Sequence, residues 1–124
     1  MTFAFWMILA GALLPIITTG IAKWGAPGFN NASPRDWQEN LKGFRRRADW
    51  AHRNHFEAFP MFAAAVLVAT LAHAPQTQIN WLAGAWVIFR ILYTACYLAN
   101  LPTPRSLVWT LAFACVVGLF VIGV

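Results

Sequence analysis

Charge is scarce in this sequence: Asp, Glu, Lys and Arg make up only 10% of its 124 residues, and just four side chains are acidic. With 60% hydrophobic residues, the chain has too little polar surface to coat a water-soluble globule of its size. No internal repeat or low-complexity tract is present, so the chain is neither a repeat array nor a low-complexity segment. The only cysteines, Cys96 and Cys115, lie within apolar stretches and lack metal-ligand spacing, so they read as small packing residues. His52 and His55 have no two further ligands beside them, so no metal site is expected and both are placed at the headgroup level. The first apolar run lacks a basic segment before it and a small-residue cleavage site after it, and it is expected to be retained rather than removed as a secretory signal.

The apolar residues are gathered in four blocks. Phe3 to Ala22 carries no charge, and at about 1.5 Å per residue it covers the roughly 30 Å of a bilayer's hydrocarbon. The second block is charge-free only after Glu57, so its helix must start earlier and carry Arg53, Asn54 and Glu57 into the membrane edge. The third contains Arg90, and the fourth is charge-free from Leu107 onward. The expected spans are about 3–23, 47–74, 79–101 and 105–123, which makes the fold all-α, an integral membrane four-helix bundle forming a single domain over 1–124.

Between the first two spans lies the one extended polar stretch, with Gly25-Ala26-Pro27-Gly28 and Asn30-Asn31 as turn formers. Ser33-Pro34-Arg35-Asp36 reads as an N-cap, a proline in the first turn and an acidic residue, so a short surface helix should follow, ended by Gly43. Lys23, Arg35, Lys42, Arg45, Arg46, Arg47 and Arg53 lie in or beside this first connection and Arg105 beside the third, whereas the second has no Lys or Arg. The positive-inside rule places the first and third connections in the cytoplasm and both termini on the opposite side. The net charge of +5 is thus a topology signal. Lys42 to Arg53, with Trp50 inside it, is expected to anchor to anionic membrane lipids, and no nucleic-acid partner is expected.

Ionisable side chains within a span cost several kcal/mol unless paired or facing a wet cavity, so each one is a candidate functional residue. Here they cluster. Arg53, Asn54 and Glu57 share one face of the second spanning helix, and Arg90, Tyr93, Tyr97 and Asn100 form a stripe on the third. Arg90 should lie roughly 15 Å below Asn100, at a depth where it can pair with Glu57. From the residues alone, that pair could equally serve only to lock two helices together. With Arg53, Asn54, Tyr93, Tyr97 and Arg105 aimed at the same place, the set suits a small ligand with two or more carboxylates and one ammonium group.

The segment Arg47-Ala48-Asp49-Trp50-Ala51-His52-Arg53-Asn54-His55-Phe56-Glu57-Ala58-Phe59-Pro60 resembles the second-helix signature of the MAPEG family, membrane-associated proteins in eicosanoid and glutathione metabolism. Arg90, Tyr97 and Pro104-Arg105-Ser106 continue the likeness along the third and fourth spans, so that it covers nearly the whole chain. The resemblance implies glutathione as co-substrate, held by Arg53, Asn54, Glu57, Tyr97, Arg105 and Ser106, with Arg90 supporting Glu57 and Lys23 in reach from the first helix. It also implies a homotrimer with sites between neighbouring subunits. Tyr93 stands where the family's prostaglandin synthases have a histidine, Trp50 where they have an arginine, and the stretch from Tyr97 to Arg105 is one residue shorter, so the electrophile side of the pocket is not carried over.

The leading expectation is a glutathione-dependent transferase or peroxidase in a bacterial inner membrane, acting on a lipophilic small molecule that enters from the bilayer. Arg105 would stabilise the thiolate, with Ser106 beside it. The alternatives are a non-enzymatic assembly or lipid-binding protein of the same fold, and a small anion-conducting subunit. Pro15 and Pro60 are expected to kink their helices, Trp24, Trp81 and Trp109 to sit at membrane interfaces, and Ala63-Ala64-Ala65 and Gly84-Ala85 to permit close helix approach.

Overall fold

The computed structural model describes residues 1–26, 28, 29 and 31–124; the turn formers Pro27 and Asn30 lie outside the described residues. All regular structure among the described residues is helical: α1 (Phe3–Lys23), α2 (Pro34–Glu39), α3 (Gly43–Leu71), α4 (Gln76–Leu98) and α5 (Pro102–Ile122). Four of these helices, all except α2, are long and apolar enough to cross a membrane. They run up and down in turn. Asn80 Oδ1 at the start of α4 accepts from the Ala4 N–H at the start of α1, and Gly123 lies against Ala69 and Ala72 at the end of α3. Both chain ends therefore share one end of the bundle, opposite the basic end that carries α2.

The three later spans begin and end a few residues before the expected limits, and the reasons are local. Gly43 does not end the surface helix, which stops at Glu39; it opens α3 with φ +64°, a left-handed conformation that suits glycine. At the far end of α3, His73 takes φ +57° and Ala74 N–H closes back on Ala69 O at 3.0 Å, a left-handed terminal turn that ends the helix before Pro75. Asn100 does the same for α4, with φ +58° and Leu101 N–H on Cys96 O at 2.9 Å, so it falls in a turn and drops out of the α4 stripe. The 29 residues of α3 measure about 44 Å, more than the bilayer's hydrocarbon, and its basic first turns stand clear of it.

Those first turns hold the basic end together. Arg45 Nη1 donates to Ala22 O (3.2 Å) and Trp24 O (2.7 Å) at the end of α1, and Arg46 Nη1 donates to Glu39 O at the end of α2. Arg47 donates from Nε and Nη2 to Leu98 O (3.3 and 3.2 Å) at the end of α4. Three consecutive arginines thus meet the C-terminal carbonyls of three different helices, where positive charge complements the helix dipole. Among the residues expected to lie on lipid headgroups, these three have their guanidinium groups turned to the protein's own backbone. Trp24 and Trp81 do face outward, at 84% and 75% exposure.

The apolar core occupies the half of the bundle away from the basic end, around Phe62, Val66, Ile79, Trp86, Val116 and Leu119. Trp86 stacks on Phe62 with ring centroids 3.8 Å apart and also lies against Gly11 of α1, where an added Cβ would stand 2.8 Å from the indole. Close approach therefore occurs at Gly11, and at Gly84, whose Cβ would stand 3.0 Å from the Phe3 ring. Of the alanine run, Ala65 is buried whereas Ala64 is exposed. Gly11→Val should overpack this contact and cost about 1–3 kcal/mol, seen as a lower melting temperature in detergent; an unchanged melt would mean that α1 does not pack on Trp86. Pro15 and Pro60 lie inside α1 and α3, both of which run on through them. Leu13, Ile16, Ile17, Leu67, Ile88, Ile91, Leu107 and Val121 point outward and are exposed, a surface suited to lipid and not to water.

Candidate functional site

Polar side chains collect in the basic half of the bundle, where α3 faces α4 and the start of α5. There, Trp50, Arg53, Asn54 and Glu57 of α3, Tyr93 and Tyr97 of α4 and Arg105 of α5 line a cavity of about 510 Å³. A neighbouring cavity of about 280 Å³ shares Asn54, Tyr93 and Arg105 and adds Ser106, Trp109 and Thr110. Helical spacing accounts for the gathering: Trp50, Arg53, Asn54 and Glu57 recur on one face of α3, and Tyr93 and Tyr97 lie one turn apart on α4. All but two of the expected site residues line one or both cavities. The exceptions are Lys23, whose Nζ lies 4.8 Å over the Phe29 ring at the end of α1, and Arg90, which is buried behind the wall.

Arg90 corrects the expected ion pair. Its guanidinium, 1% exposed, donates from Nη2 to Asn54 Oδ1 (2.8 Å) and to His55 Nδ1 (2.9 Å), and lies 4.3 Å over the Tyr93 ring. Glu57 is exposed on the cavity side and makes no ion pair among the described residues. Rise per residue brings Arg90 to the level of Asn54 and His55, within a turn of Glu57, and these two neutral acceptors take its guanidinium while Glu57 stays exposed on the cavity side. Because a guanidinium has no lone pair, His55 Nδ1 must be the acceptor, which leaves the proton on Nε2. Nε2–H then donates to Thr94 Oγ1 (2.7 Å), whose hydroxyl donates to Arg90 O (3.0 Å).

His52 is buried as well, not at the headgroups: its Nδ1 sits 2.7 Å from Pro15 O and ties α3 to α1. No cluster that could hold a metal ion occurs among the described residues.

Arg53 is held from two sides. Its Nε donates to Asp49 Oδ2 (3.1 Å) on the preceding turn, and its Nη2 pairs with Glu39 at the end of α2. The Arg53 hydrogen bond is the main cause holding the Glu39 carboxyl below the usual carboxylate range, so this tie persists above that range and is lost as pH falls through the lowered value. Asp49 is 2% exposed, and its Oδ1 has no hydrogen-bond partner among the described residues.

Arg105 sits in the first turn of α5 with its guanidinium 4.4 Å over the Tyr97 ring, which itself meets Tyr93 edge-on at 5.5 Å. The helix start offers few free N–H groups: Pro102 and Pro104 have none, and the Arg105 N–H is bonded to Leu101 O at 3.1 Å. Attraction for an anion here comes mainly from the guanidinium. The sequence assigns no role to Thr94 or Asp49 and places His55 at the headgroups, whereas His55 is buried against Arg90. Thr94 follows Arg90 by one turn and Asp49 precedes Arg53 by one turn, so both were visible as spacings, whereas only the packing of α4 on α3 reveals His55.

The cavity therefore offers two guanidinium groups, a carboxamide, two phenol rings and a carboxylate that makes no ion pair among the described residues, on a protein whose long helices are built for lipid. No curated protein and no solved structure matches this chain. The model of the MAPEG family, however, matches residues 3–124, essentially the whole length. On that match, together with four helices fit to span a bilayer, the chain is an integral membrane protein that belongs to the MAPEG family.

Proposed function

We propose that this protein is a glutathione-dependent transferase or peroxidase that acts on lipophilic electrophiles drawn from the bilayer. The observation that carries the reading is the cavity itself, in which Arg53, Arg105 and Asn54 stand around the unpaired carboxylate of Glu57. Cationic and amide donors suit the two carboxylates of glutathione, and Glu57 suits its ammonium group. Arg105 holds the thiol as its thiolate, with Ser106 in the adjoining cavity as a further hydrogen-bond donor. In the transferase reaction the thiolate sulfur forms a bond to the electrophilic carbon, the leaving group departs with its electron pair, and the thiol proton goes to water.

The cavity is open on one side, and Glu57 is exposed within a span. Both features favour a homotrimer in which a neighbouring subunit closes the site, and Lys23 belongs to the same picture as a residue offered across that contact. Isothermal titration of the detergent-solubilised protein with glutathione tests the reading. Binding in the millimolar range or tighter supports it, and its absence together with no conjugation of a general electrophile overturns it.

The same reading sets the basic end in the cytoplasm of a bacterial inner membrane, with both termini outside. Cysteines introduced at Asn31 and Gln76 should then react with an impermeant thiol reagent from opposite sides of the membrane. Reaction of both from one side would sink this arrangement.

A further inference from the structure

His55 and Thr94 take no part in the chemistry proposed above, yet they complete a buried hydrogen-bond circuit directly behind it. Arg90 is 1% exposed and His55 is 2% exposed, and the guanidinium's acceptors in the circuit, Asn54 Oδ1 and His55 Nδ1, are both neutral. A guanidinium only donates, so the Asn54 atom that faces it at 2.8 Å has to be the carboxamide oxygen. Oδ1 and Nδ2 diverge from one carbon, and Asn54 lines both cavities, so with Oδ1 committed to Arg90 it is the Nδ2–H₂ that is left for the cavity side.

We infer that His55 is a positioning residue that sets the polarity of the cavity: by holding Arg90 against Asn54, it turns the Asn54 Nδ2–H₂ toward the ligand and makes this wall select a carboxylate. This inference rests on the reading of the cavity as a glutathione site and names the determinant of its specificity. Thr94 contributes by accepting from His55 Nε2–H at 2.7 Å, which keeps Nδ1 as the acceptor that Arg90 needs. If the imidazole were replaced by a group without an acceptor, Arg90 would lose the second of its neutral partners and Asn54 would no longer be held in one orientation.

The test is titration of the full chain in detergent with glutathione and with the two mono-amides of glutathione, in which one carboxylate at a time is a carboxamide. His55→Leu should weaken glutathione binding about tenfold, the scale of one hydrogen bond to a charged group. His55→Asn should stay within about threefold of the parent, because its Oδ1 stands near the place of Nδ1 and still accepts from Arg90. Asn54→Asp should lose at least about tenfold for glutathione and regain affinity for one mono-amide, whose N–H₂ can donate to the new carboxylate. Parent-like binding by His55→Leu, a loss in His55→Asn as large as in His55→Leu, or parent-like binding by Asn54→Asp would each overturn the inference. Should His55→Leu fail to fold, the other two variants decide.

If the parent itself does not bind glutathione, the proposed function fails, and the orientation is then read without ligand. The side-chain amide resonances of Asn54 in asparagine-labelled protein should persist in His55→Asn and shift in His55→Leu. If His55→Leu is unfolded, a shift in His55→Asn overturns the inference by itself.

Discussion

Arg105→Ala should abolish the thiolate absorbance of bound glutathione near neutral pH and reduce conjugation of a general electrophile at least about tenfold, while the assembly stays intact. A free thiol has a pKa of about 8.5, and a neighbouring guanidinium brings it toward neutral, raising the share of the reactive thiolate. The expectation rests on Arg105 lining both cavities, with its guanidinium 4.4 Å over the Tyr97 ring. Because two prolines remove N–H groups from the first turn of α5, the backbone there cannot take over much of the lost attraction. Arg105→Lys keeps a charge but loses the planar fork, and should retain part of the thiolate signal. Difference absorbance of the thiolate and steady-state conjugation rates measure both effects. A parent-like signal and rate in Arg105→Ala would make Arg105 an interfacial anchor and the proposed mechanism wrong.

Arg90→Met should lower stability in detergent by about 2–4 kcal/mol, because it leaves His55 Nδ1 and Asn54 Oδ1 facing a side chain that cannot donate. Glu57→Gln should cost little, since Glu57 is exposed and pairs with none of the described residues. Double-mutant cycles separate the two cases. Arg90→Met combined with His55→Leu should be strongly non-additive, the partners being 2.9 Å apart, whereas Arg90→Met combined with Glu57→Gln should be close to additive. Thermal unfolding of the single and double variants is the measurement. If Glu57→Gln proved as costly as Arg90→Met and the two were coupled, the ion pair expected from sequence would be right and the hydrogen-bonded circuit wrong.

The four spans and the family were legible in the sequence because each depends on local and one-dimensional information. A run such as Phe3 to Ala22 has to cross a bilayer wherever its neighbours sit. The signature around Arg53, Asn54 and Glu57 puts its residues on one helical face by spacing alone. The α3 and α4 residues of the cavity wall follow from the same periodicity, and Trp50, which the sequence reads as part of a lipid-anchoring segment, joins them for that reason.

What the sequence could not decide is which way each helix is rotated about its own axis and what stands opposite it. Arg90 and Glu57 were matched in depth, but the turn of α3 that brings His55 to 2.9 Å from Arg90 comes from packing, with Trp86 seated between Gly11 and Phe62 farther along the bundle. The same holds for Arg45, Arg46 and Arg47, whose charges pointed to lipid until the ends of α1, α2 and α4 were placed within reach of them. Bilayer crossing and helix faces are properties of a single segment, so the sequence by itself determined them. Partners are properties of two segments at once, and a buried cation takes whichever acceptors the packing presents, so the tertiary structure alone assigned Arg90 to His55 and Asn54 and left Glu57 free for the cavity.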